Sequence, residues 1–331
     1  LTYLQDILDQ PENIERVGRF FSAELQKLDL SRFEAGSLVF TGMGSSYFAS
    51  LPAVFAARRA GRRAFALTAA ELLEPGGDHL GDCYVGISQS GKSAETVRAL
   101  SQVEAPRLSL TNDGRGPLAE VSDQVLAIGS GRDTAVAVKT HTATICALAY
   151  LVALLLGEEA PGMDRLPTLM EEVLEDSSPV AREVAESFAG MNAHPDFVGR
   201  GVSFATAEEA ALLFREVTRE PAASLDTLQY LHGPIEVAGN GYGCVIFGSG
   251  REVRLAEDLA SYGATVLLVT TSQAHERENL RVVHIPQIED TLLPVLEILP
   301  VQLLAYHMAR ARGLQADGFR HHQPDTKLAQ A

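Results

Sequence analysis

A chain of 331 residues, 46% hydrophobic and 21% charged, has the composition of an ordinary globular protein and the length for two domains, each with its own core. Its formal net charge of -16 argues against a nucleic-acid surface, which needs clustered Lys and Arg, so an anionic ligand must be held by local donors. The most apolar run, Ile145 to Leu156, is too short to span a bilayer, and no secretory leader precedes the first helix. Three cysteines without CxxC spacing, Cys83, Cys146 and Cys244, read as reduced core residues of a cytoplasmic protein.

Residues 1–30 predict a helical segment, with Tyr3, Leu4, Ile7 and Leu8 on one stripe and a second amphipathic run from Glu12 to Leu28. Residues 31–160 then alternate strand and helix. Strands are expected at Ser37–Phe40, Ala64–Leu67, Cys83–Ile87, Leu108–Thr111 and Gln124–Ile128, and helices through Ala60, near Glu71, over Ser93–Ala105, after Pro117 and over Thr140–Leu156. Such alternation implies a parallel sheet covered by helices on both faces, with ligands at the carboxyl ends of the strands. Residues 161–190 read as a connecting helix interrupted near Ser177-Ser-Pro179, and residues 191–331 as a second α/β domain with a C-terminal tail.

The stretch Ile87-Ser-Gln-Ser-Gly-Lys-Ser-Ala-Glu-Thr96 places Ser88, Gln89, Ser90, Gly91 and Ser93 at a strand-to-helix turn. There, hydroxyls and the free N–H groups of a helix start can converge on a phosphate, with Lys92 adding positive charge and no carboxylate expected close by. An ordinary capped turn rich in serine is the competing reading. Half a chain later the pattern recurs. Gly42, Gly44 and Ser46 correspond to Gly199, Gly201 and Ser203 at an offset of 157, and Ser90-Gly-Lys92 to Ser249-Gly-Arg251 at 159. This predicts a duplicated domain whose second copy has lost most of its hydroxyls, with Ser88 facing Phe247 and Ser93 facing Glu252.

Gly42-Met-Gly-Ser-Ser-Tyr47, Ser88-Gln-Ser-Gly-Lys-Ser93 and Val136-Ala-Val-Lys-Thr140 resemble a sugar isomerase (SIS) domain. Gly199-Arg-Gly201, Glu216 and His232-Gly-Pro234 resemble the second SIS domain of a double-SIS protein. That family includes the isomerase half of glucosamine-6-phosphate synthase and stand-alone amino-sugar-phosphate deaminases, isomerases and deglycases. The resemblance implies two tandem α/β domains, each a flavodoxin-like three-layer α/β/α sandwich. It also implies that Ser45, Ser46, Ser88, Gln89, Ser90 and Ser93 hold a sugar phosphate.

By the same resemblance, Glu216 is the base that moves a proton between C1 and C2. His232 opens the sugar ring from a neighbouring subunit, and Lys327 in the tail is a further catalytic candidate. A homodimer with a shared active site follows, with no cofactor and no metal, and the apolar stretch Pro294–Arg310, divided at Pro300, is expected to supply part of the pairing surface. Three departures bear on the chemistry. Leu213 stands where relatives carry an imine-forming lysine, Lys92 where they carry Glu, and the tail His321-His-Gln-Pro-Asp-Thr-Lys327 is spaced differently. Read from the residues alone, Glu216 is an exposed helix carboxylate paired with Arg219 one turn on, and only the resemblance makes it the base. The expected function is a phosphosugar isomerase for a hexose or amino-hexose 6-phosphate, possibly coupled to deamination or deglycation. The alternative is a non-catalytic sugar-phosphate-binding regulator, disfavoured because a sensor needs no base over C1 and C2.

Overall fold

The computed structural model describes residues 2–191 and 194–328. Short apolar runs rich in branched residues, buried on both faces, form two parallel five-stranded sheets with one strand order. In the first, β1 (Leu38–Gly42), β2 (Ala64–Thr68), β3 (Cys83–Ile87), β4 (Arg107–Thr111) and β5 (Gln124–Ala127) lie in the order β2-β1-β3-β4-β5. In the second, β6 (Asp196–Gly199), β7 (Ala223–Asp226), β8 (Gly243–Phe247), β9 (Thr265–Thr270) and β10 (Leu280–His284) repeat it as β7-β6-β8-β9-β10. Every pairing is parallel. Two tandem α/β domains of flavodoxin-like strand order are therefore present, as the sequence predicts.

The helices in chain order are α1 (Tyr3–Leu8), α2 (Gln10–Leu25), α3 (Ser45–Phe48), α4 (Leu51–Arg59), α5 (Ala69–Leu73), α6 (Ala94–Gln102), α7 (Pro117–Glu120), α8 (Lys139–Leu156), α9 (Leu166–Ala189), α10 (Val202–Thr218), α11 (Thr227–Tyr230), α12 (Arg251–Ser261) and α13 (Leu293–Ala311). Local chemistry starts several of them. Thr68 and Glu71 close a capping box at α5, and the Asp226 carboxylate accepts the Leu228 and Gln229 N–H groups at α11.

The chain divides into two compact units. One holds the first sheet, with Glu12–Arg132, Lys139–Asp164 and the tail from Arg320. The other holds the second sheet, with the first residues up to Pro11, Asp133–Val138 and Arg165–Phe319. On one face of the first sheet, Val39 and Tyr84 pack with Leu72, Val97, Leu100 and Leu118 from α5, α6 and α7. By length and hydropathy α8 could cross a bilayer, but fifteen of its eighteen residues are buried by protein.

Three expectations about helices are corrected. Helix α9 runs unbroken through Pro179, because Val173, Leu174, Ala181, Val184 and Ala185 on either side are buried, and α9 packs along α13. That burial offsets the lost backbone bond. Helix α13 likewise continues through Pro300. Its residues Val295, Ile298, Leu299, Val301, Leu303 and Leu304 are all buried within the chain, so they offer no free apolar surface for pairing.

Candidate functional site

Strand order reverses between β1 and β3, which lie side by side in the first sheet with Thr41 opposite Gly86. Both serine turns leave the carboxyl ends of these two strands, at the topological switch point where open α/β sheets bind ligands. Gly42 ends β1, and a side chain there would meet the Ile87 carbonyl at 2.9 Å and Ser46 Cβ at 3.0 Å. Gly44 takes φ 54°, ψ -131°, a conformation essentially reserved for glycine, and turns the chain into Ser45 and Ser46, both half-buried. His141, buried on α8, hydrogen-bonds to the backbone of Ser45, and burial lowers its pKa to about 4, so it stays neutral.

The second turn spans six residues, from Ser88 after β3 to Ser93 before α6. Gly91 has φ 65°, and a Cβ there would lie 2.5 Å from the Arg115 carbonyl. The loop bonds to itself. Ser88 Oγ accepts from Ser93 N–H at 3.4 Å and Ser90 Oγ from Lys92 N–H at 3.3 Å. Ser93 Oγ accepts from Thr96 Oγ1 at 3.0 Å and donates to Glu95 Oε2 at 3.3 Å. A carboxylate thus does stand beside the loop, against the sequence expectation. Glu95 lies two residues past Ser93, and the first turn of α6 brings it back.

Lys327 is exposed but its backbone is placed. Ser93 and Lys327 form an antiparallel bridge, the Leu328 N–H donates to the Lys92 carbonyl at 2.9 Å, and Leu328 packs on the cluster around Val97 and Leu100. The tail therefore lies along the serine loop.

The second unit shows what the duplication kept and lost. Gly201 repeats the Gly44 geometry at φ 62°, ψ -129°. After β8, however, only Gly248, Ser249 and Gly250 precede α12, three residues fewer than in the first copy. Strand pairing sets Ser88 against Gly248, since both N–H groups donate to the facing strand at its last pair, which corrects the expected match with Phe247. Glu252, 2% exposed, folds back against Gly248 and pairs with Arg200 at 3.3 Å, so this turn already contains an anion. Ser203, the counterpart of Ser46, donates to Glu297 at 2.6 Å, and Thr206 donates to the same carboxylate at 2.6 Å.

Glu216 lies in the last turn of α10, half-buried. Arg219, left-handed at φ 62°, caps the helix and donates to the Gly318 carbonyl. The pairing of Glu216 with Arg219 does not form, and Glu216 has no ion-pair partner among the described residues. Burial pushes its carboxyl up to about 7, against the opposing pull of the nearby guanidinium. Tyr3, 2% exposed, adjoins this region. Burial, Glu209, Glu216 and Asp6 together raise its phenol well above the usual value. Leu213 is fully buried, so no amine stands one turn before Glu216. His232 is exposed in the turn after α11. Sequence reasoning missed Tyr3, Glu209 and His141. The electrostatic influence of Glu209 and Glu216 on Tyr3 spans two hundred residues of chain and leaves no local signal, whereas His141 sat one residue beyond a motif already singled out.

The fold is that of a tandem double α/β protein, with a glycine-serine turn and a serine loop at the switch point of its first sheet. The chain matches the SIS domain over residues 33–155 and 192–312, and it belongs to the SIS domain family. It is 26% identical over 332 residues to glutamine–fructose-6-phosphate aminotransferase (isomerizing) of Pyrococcus horikoshii, covering 95% of this chain and 55% of that protein. It is 30% identical over 259 residues to the enzyme of the same name from Symbiobacterium thermophilum, covering 71% of this chain and 42% of the other. The chain thus spans about half the length of these curated relatives. In fold it is similar to glucosamine-6-phosphate deaminase from Thermotoga maritima (TM-score 0.79, 24% identity, 97% and 98% of the two chains). It is also similar in fold to tagatose-6-phosphate ketose/aldose isomerase from Escherichia coli (TM-score 0.79, 18% identity, 95% and 94%).

Proposed function

We propose that this protein is a phosphosugar isomerase that transfers a proton between C1 and C2 of a hexose or amino-hexose 6-phosphate, with deamination or deglycation as a coupled outcome. The observation that carries this reading is Glu216. It is a carboxylate with no ion-pair partner among the described residues, and burial tunes it to about 7, where a group can both take and return a proton near neutral pH. A surface carboxylate would stay near its ordinary value.

In this reading Ser45, Ser46, Ser88, Gln89, Ser90 and Ser93 hold the phosphate, which requires the Ser93 hydroxyl to turn from Glu95 toward the anion. Glu216 takes the proton from C2 of the open aldose and the electrons pass to O1; a proton moves from O2 to O1 through the enediol, and the same carboxyl returns its proton to C1 as C2 becomes the ketone carbonyl. No net proton is consumed. With Leu213 in the lysine position, the substrate carbonyl is handled without an imine to that residue. The exposed His232 is suited to open the ring of a substrate bound to a neighbouring subunit, and Lys327, held at the serine loop, to meet the sugar.

Incubation with hexose 6-phosphates and their 2-amino forms, following ketose formation and ammonia release, tests the proposal. Turnover of at least one is expected. Tight binding of a sugar phosphate with no product and no hydrogen exchange at C1 or C2 would overturn it in favour of a regulator.

A further inference from the structure

The two switch-point turns lead into helices that carry a glutamate at the same place. Glu95 is the second residue of α6 and Glu252 the second residue of α12. The offset between them is 157, the same that relates Gly42 and Gly44 to Gly199 and Gly201. In the second copy this side chain folds back into its turn. Glu252 is 2% exposed, its Cγ lies 3.2 Å from where a Gly248 side chain would begin, and Arg200 Nε neutralises it at 3.3 Å. A glutamate at this helix position therefore reaches the residue that follows the strand, the counterpart of Ser88.

The first copy keeps the glutamate and lacks the arginine. Met43 stands where the second copy has Arg200, and Glu95 has no ion-pair partner among the described residues. Its half-buried carboxylate instead accepts the Ser93 hydroxyl at 3.3 Å. A hydroxyl has one proton to give. Once Ser93 donates it to a bound phosphate, Glu95 is left without that donor beside a second anion, which is costly away from bulk water. A proton on the ligand removes the conflict. Phosphate monoesters lose their second proton at about 6, so near neutral pH part of the population still carries a P–OH that can donate to a carboxylate. Sulfate has the same shape and no such proton. An acidic residue in a first helical turn ordinarily serves the helix dipole, but that role needs no bond to a loop hydroxyl and does not distinguish one ligand from another.

We propose that Glu95 is a specificity-determining residue of the serine loop: by accepting a hydrogen bond from the ligand, it selects a phosphate group that carries a proton over a fully ionised anion such as sulfate. This rests on the reading that the serine loop holds a phosphate, and is independent of the isomerisation step.

The test is titration calorimetry on the full chain at pH 7 with inorganic phosphate and with sulfate, using the parent, Glu95→Gln, Glu95→Ala and Ser90→Ala. The parent should bind phosphate roughly tenfold or more tightly than sulfate, as a site built to receive a donor rejects the analogue without one. Glu95→Gln keeps the size of the side chain and offers an N–H, so sulfate should tighten and the preference fall close to unity. Glu95→Ala, which removes the carboxylate altogether, should lose the preference too, so the prediction stands or falls even where one variant does not fold. A parent that binds the two anions alike overturns the proposal. So does a parent preference that survives in the variants, and so does an equal gain for both anions, which would be charge repulsion without selection. Ser90→Ala should weaken both anions together. If it changes neither, the serine loop is not the phosphate site, and it is that reading which fails.

Discussion

At the scale of single residues, Glu216 and Ser90 meet opposite demands. As the proposed base, Glu216 has to lose and regain a proton, and its partial burial on α10 raises its pKa from 4.5 to about 7. The base form is present above that value. The kcat/KM for proton abstraction should therefore rise with pH through about 7 and level off above it, as a pH–rate profile would record. Ser90 must donate to a fixed anion. Ser90→Ala removes a hydroxyl from the loop and should weaken sugar-phosphate binding by about 1 to 3 kcal/mol, measurable by titration calorimetry. The serine loop was legible as a strand-to-helix turn because its five donors are contiguous, within six positions after a β-branched strand. Glu216 stands out in the sequence only through the resemblance to the second SIS domain. Its raised pKa was not legible, since the burial that causes it is tertiary.

At the scale of elements, the second copy shows how a binding turn becomes a structural joint. Glu297 on α13 sits 1% exposed between the Ser203 and Thr206 hydroxyls, and burial pushes it up to about 7. Its pKa is raised above the unfolded value, so the native state holds the extra proton. The stability this gives is complete below about 4.5 and is lost as pH rises through about 7. A rise from 4.5 to about 7 corresponds to on the order of 3 kcal/mol at 1.36 kcal/mol per pH unit. Glu297→Gln should flatten the fall of Tm between pH 5 and 8, while the parent protein loses stability over that interval; thermal melts in a pH series check this. A helix was readable for α6, expected over Ser93–Ala105 and found at Ala94–Gln102. The breaks expected at Pro179 and Pro300 were misread because a proline's local cost is visible in sequence, whereas the buried surface that offsets it along α9 and α13 is tertiary.

At the scale of the whole molecule, two units share one strand order; the serine loop belongs to one and Glu216 to the other. The repeated glycine turns made the duplication legible, because Gly44 and Gly201 hold a backbone geometry that few other residues tolerate. The three residues missing from the second loop were not, since the sequence match was taken through the turn rather than through strand pairing. If His232 serves a neighbouring subunit, the protein is a dimer of about twice 35.5 kDa by sedimentation. A mixture of Glu216→Gln and His232→Ala chains, each inactive alone, should then recover part of the activity.

Whether Glu216 carries the proton is tested most directly by incubating Glu216→Gln with a sugar phosphate in deuterated water and following the hydrogen at C1 and C2. The amide keeps the size of the side chain but cannot accept the proton, so binding should persist while exchange falls by about 10²- to 10⁴-fold. Exchange at the parent rate would contradict the assignment and leave Glu216 an ordinary carboxylate of α10.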